Sequence, residues 1–232
     1  MAGSNAALPE RVWLLRHAET ATPTVFHGAE SDEPLSELGH RQAAAVAEWF
    51  KAFSPTAVVS SNMQRAKDTA SPIATACRIP HTIEPTLHER RVGELCGTSF
   101  SMSEGPWAET VRRWSAGELD YTTRGAESYA ELRERVLGGW QRAIAAHPGE
   151  RLVIVAHGVV CKILLLSLLP DRGPADWIPL GRVPNVSVSE LTPLAASGHW
   201  IAKRLLFVPE PVARLSDGLP TGVGQSIRKS EA

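Results

Sequence analysis

The chain alternates between short, uninterrupted apolar runs and longer stretches whose apolar residues recur every three or four positions. "RVWLL" reads as a β-strand. It precedes "LSELGHRQAAAVAEWFKAF", where Ser36 stands as a helix N-cap and Leu38, Ala43, Val46, Ala47 and Phe50 make one apolar face. "TAVVSS" predicts a second buried strand, and "NMQRAKDTASPIATACR" a helix in which Pro72 forces a kink or a break. "HTIEPT" reads as a short third strand. The stretch from Ser99 to Arg124 is less regular, with "EGPWAETVRRWSA" as a short helix inside it. "ESYAELRERVLGGWQRAIAAH" predicts a longer helix with Tyr129, Leu132, Val136 and Trp140 on one side. "RLVIVAH" then leads into "VVCKILLLSLL", a buried strand followed by a buried helix. His157 and Lys162 interrupt this most apolar segment, which argues against a membrane span. "NVSVSELTP" and "WIAKRLLFV" read as two late strands, a hairpin closing a sheet edge.

Strands alternating with helices imply an α/β fold. The expected architecture is a three-layer sandwich with a mostly parallel central sheet flanked by helices and a small cap over the strand C-terminal ends. Residues 1–208 are expected to form a single α/β domain, with the cap inserted at about 99–126. Residues 209–232, rich in Pro, Gly and Ser, are expected to be an extended or disordered tail.

Composition narrows the function classes. A chain of 232 residues with 43% hydrophobic and 21% charged residues can bury a substantial core. Its net charge of −1, without a long basic run, disfavours nucleic acid or an anionic membrane as partner but leaves room for a local anion site. Three widely spaced cysteines, Cys77, Cys96 and Cys161, with no CxxC, fit neither a disulfide framework nor a zinc cluster, and point to the reducing cytoplasm. "MAGSNAALPE" lacks the basic and apolar regions of a signal peptide.

In open parallel sheets, ligands bind beyond the carboxyl ends of the strands. Three apolar strands here end in polar chemistry: "VWLL" in Arg16 and His17, "AVVSS" in a helix carrying Arg65, and "LVIVA" in His157. Either histidine alone could be an ordinary hydrogen-bonded residue, but two histidines and two arginines at one rim predict a shared site. A metal is one candidate occupant, but no HExxH-like spacing supports it, and arginines repel a cation. Guanidinium groups instead match phosphate oxygens. A neutral imidazole there can attack phosphorus, with cationic donors stabilising the transferring group and a carboxylic acid protonating the leaving oxygen.

These segments resemble the histidine phosphatase superfamily, in its phosphoglycerate-mutase-like branch. "LLRHAET" is similar to that family's Arg-His-Gly-Glu-Thr signature, and "DEPLSELGHRQA" and "VSSNMQRAKDTA" to its next two segments. "LHERRVGELCG" is similar to the loop bearing the acid, "GAESYAELRERV" to the following helix start, and "VIVAHGVV" to the second histidine motif. The resemblance implies that His17 is the phosphorylated nucleophile, that Arg16, Arg65 and His157 hold the phosphoryl group, and that Glu89 donates the proton. Glu19 and Glu127 are expected in supporting roles. The resemblance implies neither a metal nor an organic cofactor, and a small phosphorylated substrate; the oligomeric state is open.

Some positions depart from the family pattern. Ala18 replaces the signature glycine, and Pro23 stands where the common form has an asparagine, leaving Thr20 or His27 as substitutes for that phosphate contact. The glycolytic mutases follow the acid with a tyrosine and an Asn-Lys pair that help hold a carboxylate; here Val92 and Phe100 stand in that stretch. Arg112 and Arg113 are similar to a mutase arginine pair, or are a solvated helix face. The resemblance therefore implies a phosphatase acting through phosphohistidine, with a mutase or a non-catalytic phosphoester-binding module as alternatives.

Overall fold

The computed structural model describes residues 8–99, 104–194 and 198–216. In chain order its elements are β1 (Arg11–Arg16), α1 (Glu37–Phe50), β2 (Ala57–Ser60), α2 (Gln64–Cys77), β3 (His81–Ile83), α3 (Gly105–Ser115), α4 (Tyr129–Ala145), β4 (Arg151–Ala156), α5 (Gly158–Leu168), β5 (Val188–Pro193), β6 (Trp200–Phe207) and α6 (Glu210–Ser216). The strands form one sheet in the order β3-β2-β4-β1-β5-β6. The first four are mutually parallel, and β5 and β6 run antiparallel at one edge, as a late hairpin should.

The side-chain period of two divides the central strands between two cores. Val12, Leu14, Leu152 and Ile154 face the layer of α4 and α5, while Trp13, Leu15, Val153 and Val155 face that of α1 and α2. Because both faces are covered, the strands carry continuous apolar runs instead of alternation. α5 is apolar almost all round and is buried along its length. Among the described residues no helix is long and apolar enough to cross a membrane.

Local signals account for the helix boundaries. Ser36 caps α1 by accepting from Gly39 N, and Ser128 and Glu131 form a capping box at the start of α4. The expected break at Pro72 is absent. α2 continues through it, with Ala66, Ala70 and Ile73 fully buried on its inner face, so tertiary packing outweighs the one lost backbone hydrogen bond. The expectation of an extended tail from residue 209 is also corrected: α6 occupies Glu210–Ser216 and buries Val212 in the core shared with α1. Residues 217–232 lie outside the described residues. So do 100–103 within the expected cap, whose described part contains α3.

Register sets the rim. Arg16 lies opposite Ala156, and Ser60 opposite Val155, so β1, β2 and β4 end level. His17 N donates to Ala156 O at 2.9 Å and Ser61 N to Val155 O at 3.0 Å, which brings the residues after the three strands together. Gly39 serves the same end from the side. A Cβ there would stand 2.1 Å from the carbonyl oxygen of Glu19, so only glycine lets α1 press against the loop after β1.

Gly39→Ala should therefore lower stability by about 1–3 kcal/mol through overpacking. Gly138→Ala, in open helical surroundings on α4, should raise it by about 0.5–1 kcal/mol. Urea denaturation of the two variants checks the opposite signs.

Candidate active site

Arg16, His17, Arg65 and Glu89 line one cavity of about 160 Å³ beyond the carboxyl ends of β1 and β4. His157 stands immediately behind them, fully buried, its ring centroid 5.2 Å from that of His17. All five residues singled out in the sequence thus meet at one place.

His17 is nearly buried, and its Nδ1–H donates to Ala18 O at 2.7 Å. That bond fixes the tautomer and leaves the Nε2 lone pair available. Burial, with Arg65 and Arg16 alongside, holds the His17 pKa well below the usual 6.5. His157 is held low for the same reasons, burial first and then Arg65. In its neutral form His157 Nδ1 accepts from Arg65 Nε at 3.2 Å, and Nε2–H donates to Ser61 Oγ at 2.8 Å.

The two guanidinium groups are anchored by main-chain carbonyls. Arg65 donates from Nη1 to Ser31 O at 2.9 Å and from Nη2 to Gly28 O at 3.3 Å. Arg16 Nη1 donates to Val183 O at 2.6 Å. Burial lowers the Arg16 pKa to about 10, with Glu89 opposing the fall, and lowers that of Arg65 likewise. Both remain cationic at neutral pH. Gly158 at the start of α5 lies against the Arg16 guanidinium, where a Cβ would meet Nε at 3.4 Å, an ordinary van der Waals contact.

Glu89 is oriented from both sides. Its Oε1 accepts from Arg90 N at 2.8 Å and its Oε2 from Val159 N, in the first turn of α5, at 3.4 Å. Arg135 holds the acid loop by donating to the carbonyls of Thr86, His88 and Glu89. The Glu127 carboxylate binds Arg135 at 2.8 Å through both oxygens and accepts from Arg91 N. Those contacts lower the Glu127 pKa against the effect of its burial. Glu30 accepts from Val92 N and Gly93 N of the same loop.

The remaining expectations divide. Glu19 accepts from Ser36 Oγ at 2.9 Å, a bond that ties the signature loop to α1. Thr20, Pro23 and His27 line the cavity. His27 is engaged within its own loop, Nε2–H donating to Thr22 O and Nδ1 accepting from Ser31 Oγ. Ala18 N donates to Thr69 Oγ1 at 2.9 Å and the Ala18 side chain is fully buried, so its methyl packs into the core and stays clear of the cavity. Val92 lines the cavity, and Phe100 lies outside the described residues. Arg112 and Arg113 both bind Glu109, at 2.7 and 2.6 Å, and Arg113 also binds Glu118, which makes them a solvated helix face.

Several contributors were not legible. Thr69 follows Arg65 by one helical turn, a spacing that could have signalled it. Ser61, Asn185, whose Nδ2 donates to His17 O at 2.8 Å, and Arg135 carry no local pattern that marks them. Lys162 was visible only as an interruption in an apolar run, and Arg90 and Arg182 not at all.

Two arginine–histidine pairs, Arg65 and His157 buried and Arg16 half-buried beside His17, meet next to the Glu89 carboxylate. The chain belongs to the histidine phosphatase superfamily (branch 1), whose family model matches residues 12–205. Among curated proteins it is 37% identical over 182 residues to the metal-independent phosphoserine phosphatase of Arabidopsis thaliana, covering 76% of this chain and 73% of that one. It is 31% identical over 201 residues to a Cronobacter sakazakii protein named "Probable phosphoglycerate mutase GpmB", covering 83% and 91%. Among solved structures it is similar to a mycobacterial glucosyl-3-phosphoglycerate phosphatase in complex with inorganic phosphate. That match has a TM-score of 0.73 and 26% identity, and covers 86% of this chain and 98% of that one.

The two depressed histidines make a stability prediction. Each has a folded pKa below the unfolded value of 6.5, so below that pH the unfolded chain binds more protons. The contribution is fully present above about 6.5 and is lost as the pH falls toward the folded values. The urea midpoint should drop between about pH 7 and pH 5, and His157→Gln should flatten the drop. A midpoint that rises on acidification would contradict the sign.

Proposed function

We propose that this protein is a phosphomonoester hydrolase that acts on a small phosphorylated metabolite through a phosphohistidine at His17. The observation that carries the reading is the His17 imidazole: neutral, fixed through Nδ1, flanked by the guanidinium groups of Arg16 and Arg65 and next to Glu89. Arg16, Arg65 and His157 hold the phosphoryl group. In the first step His17 Nε2 bonds to phosphorus, the ester P–O bond breaks, and the Glu89 carboxyl proton passes to the leaving alkoxide. In the second, Glu89 takes a proton from water, the oxygen attacks phosphorus, and neutral His17 and inorganic phosphate are released. The guanidinium groups stabilise charge on the equatorial oxygens in both steps.

Under this reading residues 99–126, including α3, act as the cap. Hydrolysis is favoured over mutase chemistry because Arg112 and Arg113, similar to a mutase arginine pair, are bound to Glu109 and Glu118 on an exposed helix face. His17 and Glu89 together in one cavity favour catalysis over mere binding. Free Cys77, Cys96 and Cys161 support a reducing, cytoplasmic location.

Release of inorganic phosphate from a phosphomonoester panel, without a bisphosphorylated primer, tests the reaction class; strict primer dependence would favour the mutase reading. Glu89→Gln should slow alkyl phosphates by about 10²–10⁴, the usual size of general acid catalysis. Aryl phosphates, whose leaving groups need little protonation, should suffer much less. Equal losses for both would move the proton donor elsewhere. Activity should survive excess chelator, and its loss there would revive a metal.

A further inference from the structure

A peptide unit is planar, so bonds to its C=O and its N–H together fix its orientation. Both peptide units that follow His17 are gripped in this way. Asn185 Nδ2 donates to His17 O at 2.8 Å, and Ala18 N donates to Thr69 Oγ1 at 2.9 Å, which fixes the unit between His17 and Ala18. In the next unit Ala18 O accepts from His17 Nδ1–H at 2.7 Å, and Glu19 N donates to Gln42 Oε1 at 3.0 Å. The imidazole is therefore tied to a carbonyl whose own plane is held by its neighbours. Rotating either unit would swing Ala18 O away from Nδ1 and release the ring.

The gripping side chains are neutral and buried, and they come from distant parts of the chain: Gln42 from α1, Thr69 from α2 and Asn185 from the turn before β5. Chemistry settles their roles. A carbonyl only accepts, so the Asn185 amide presents Nδ2; a backbone N–H only donates, so Gln42 presents Oε1 and Thr69 its hydroxyl oxygen. The Thr69 hydroxyl then spends its own proton on Arg65 O at 2.8 Å, so one side chain ties the peptide after His17 to the helical turn that carries Arg65. Val186, next to Asn185, is fully buried at φ +56, a left-handed conformation that β-branched residues rarely adopt, and its N donates to Arg16 O at 3.1 Å. The chain thus accepts backbone strain where it brings Asn185 to the His17 carbonyl.

We propose that Gln42, Thr69 and Asn185 are positioning residues for His17, holding the two peptide units that aim its Nε2 at phosphorus. The inference rests on the phosphatase reading of His17. Phosphate affinity belongs to the arginines, so loosening the grip should slow bond formation at phosphorus and leave phosphate binding close to that of the wild type.

The test uses p-nitrophenyl phosphate, whose leaving group needs little protonation and so takes Glu89 out of the comparison. In a rapid-quench single turnover at saturation, Thr69→Val should form phosphoenzyme about ten- to a hundredfold more slowly, the scale of an ångström-sized misplacement. Thr69→Ser, which keeps the hydroxyl, should restore most of the rate. Asn185→Ala, at the cavity wall, should show the same loss without disturbing a helix. Calorimetry with inorganic phosphate should give wild-type affinity in all three. A second readout needs no turnover: ¹⁵N NMR of the His17 ring should show the Nδ1–H tautomer in the wild type and Thr69→Ser, and mixed tautomers in Thr69→Val and Asn185→Ala. Rates that fall only in step with phosphate affinity would overturn the proposal. So would wild-type rates and spectra in Thr69→Val and Asn185→Ala, and with phosphohistidine still formed the phosphatase reading would then stand alone. A wild type that forms no phosphohistidine, with variants that still mix the tautomers, would sink the phosphatase reading and keep the positioning.

Discussion

Two guanidinium groups pressed against two imidazoles, with Arg65 and both histidines buried and Arg16 half-buried, are the constraint on which the rest of this structure depends. Arg65 reaches His157 through Nε, and Arg16 precedes His17 at the end of β1. Such a cluster is expensive, because burial removes the water that would solvate the cations and, among the described residues, no carboxylate forms an ion pair with either. Arg65 donates to the carbonyls of Gly28 and Ser31 and Arg16 to that of Val183, which draws three loops over the rim, while Arg16 Nε is buried without a partner among the described residues. The histidines answer by staying neutral. The result is a positive cavity with an unprotonated nitrogen in it, which is the condition for attack on a phosphate dianion.

The acid is managed differently. Glu89 sits on a loop with no regular structure, and its geometry comes from side chains gripping main chain: Arg135 on three carbonyls, Glu127 and Glu30 on three amides. Gly93 belongs to the same device. It adopts φ +55, and a Cβ there would fall 2.2 Å from Arg124 O, so the acid loop and the chain leaving the cap approach as only glycine permits. Rigid strands thus position His17, the proposed nucleophile, and a hydrogen-bonded loop positions Glu89, the proposed proton donor.

The fold was largely legible because buried parallel strands and amphipathic helices write their periods into the sequence, as in "VWLL" and in α1 with its Ser36 cap. Of the kink or break expected at Pro72, the break does not occur, because packing on the inner face of α2 is invisible to local propensity. α6 was missed because its seven residues, Glu210–Ser216, are held by docking Val212 into the core and not by any period of their own. At the site, strand ends announced Arg16, His17 and His157, and the family resemblance supplied Glu89. Asn185 and Arg135 stayed hidden, since each acts on a backbone atom far away in sequence. Lys162 stood in plain view and was read only as an argument against a membrane span.

The central claim is that His17 carries the phosphoryl group, and the most direct test is to look for it there. Rapid acid-free quench of the wild type with a ³²P-labelled phosphomonoester should trap a base-stable, acid-labile phosphoenzyme within the first turnover, with the label on the peptide containing His17. His17→Ala should form none while still binding vanadate-free phosphate analogues in the same cavity. Near-normal turnover in His17→Ala, or label on any other residue, would contradict the account.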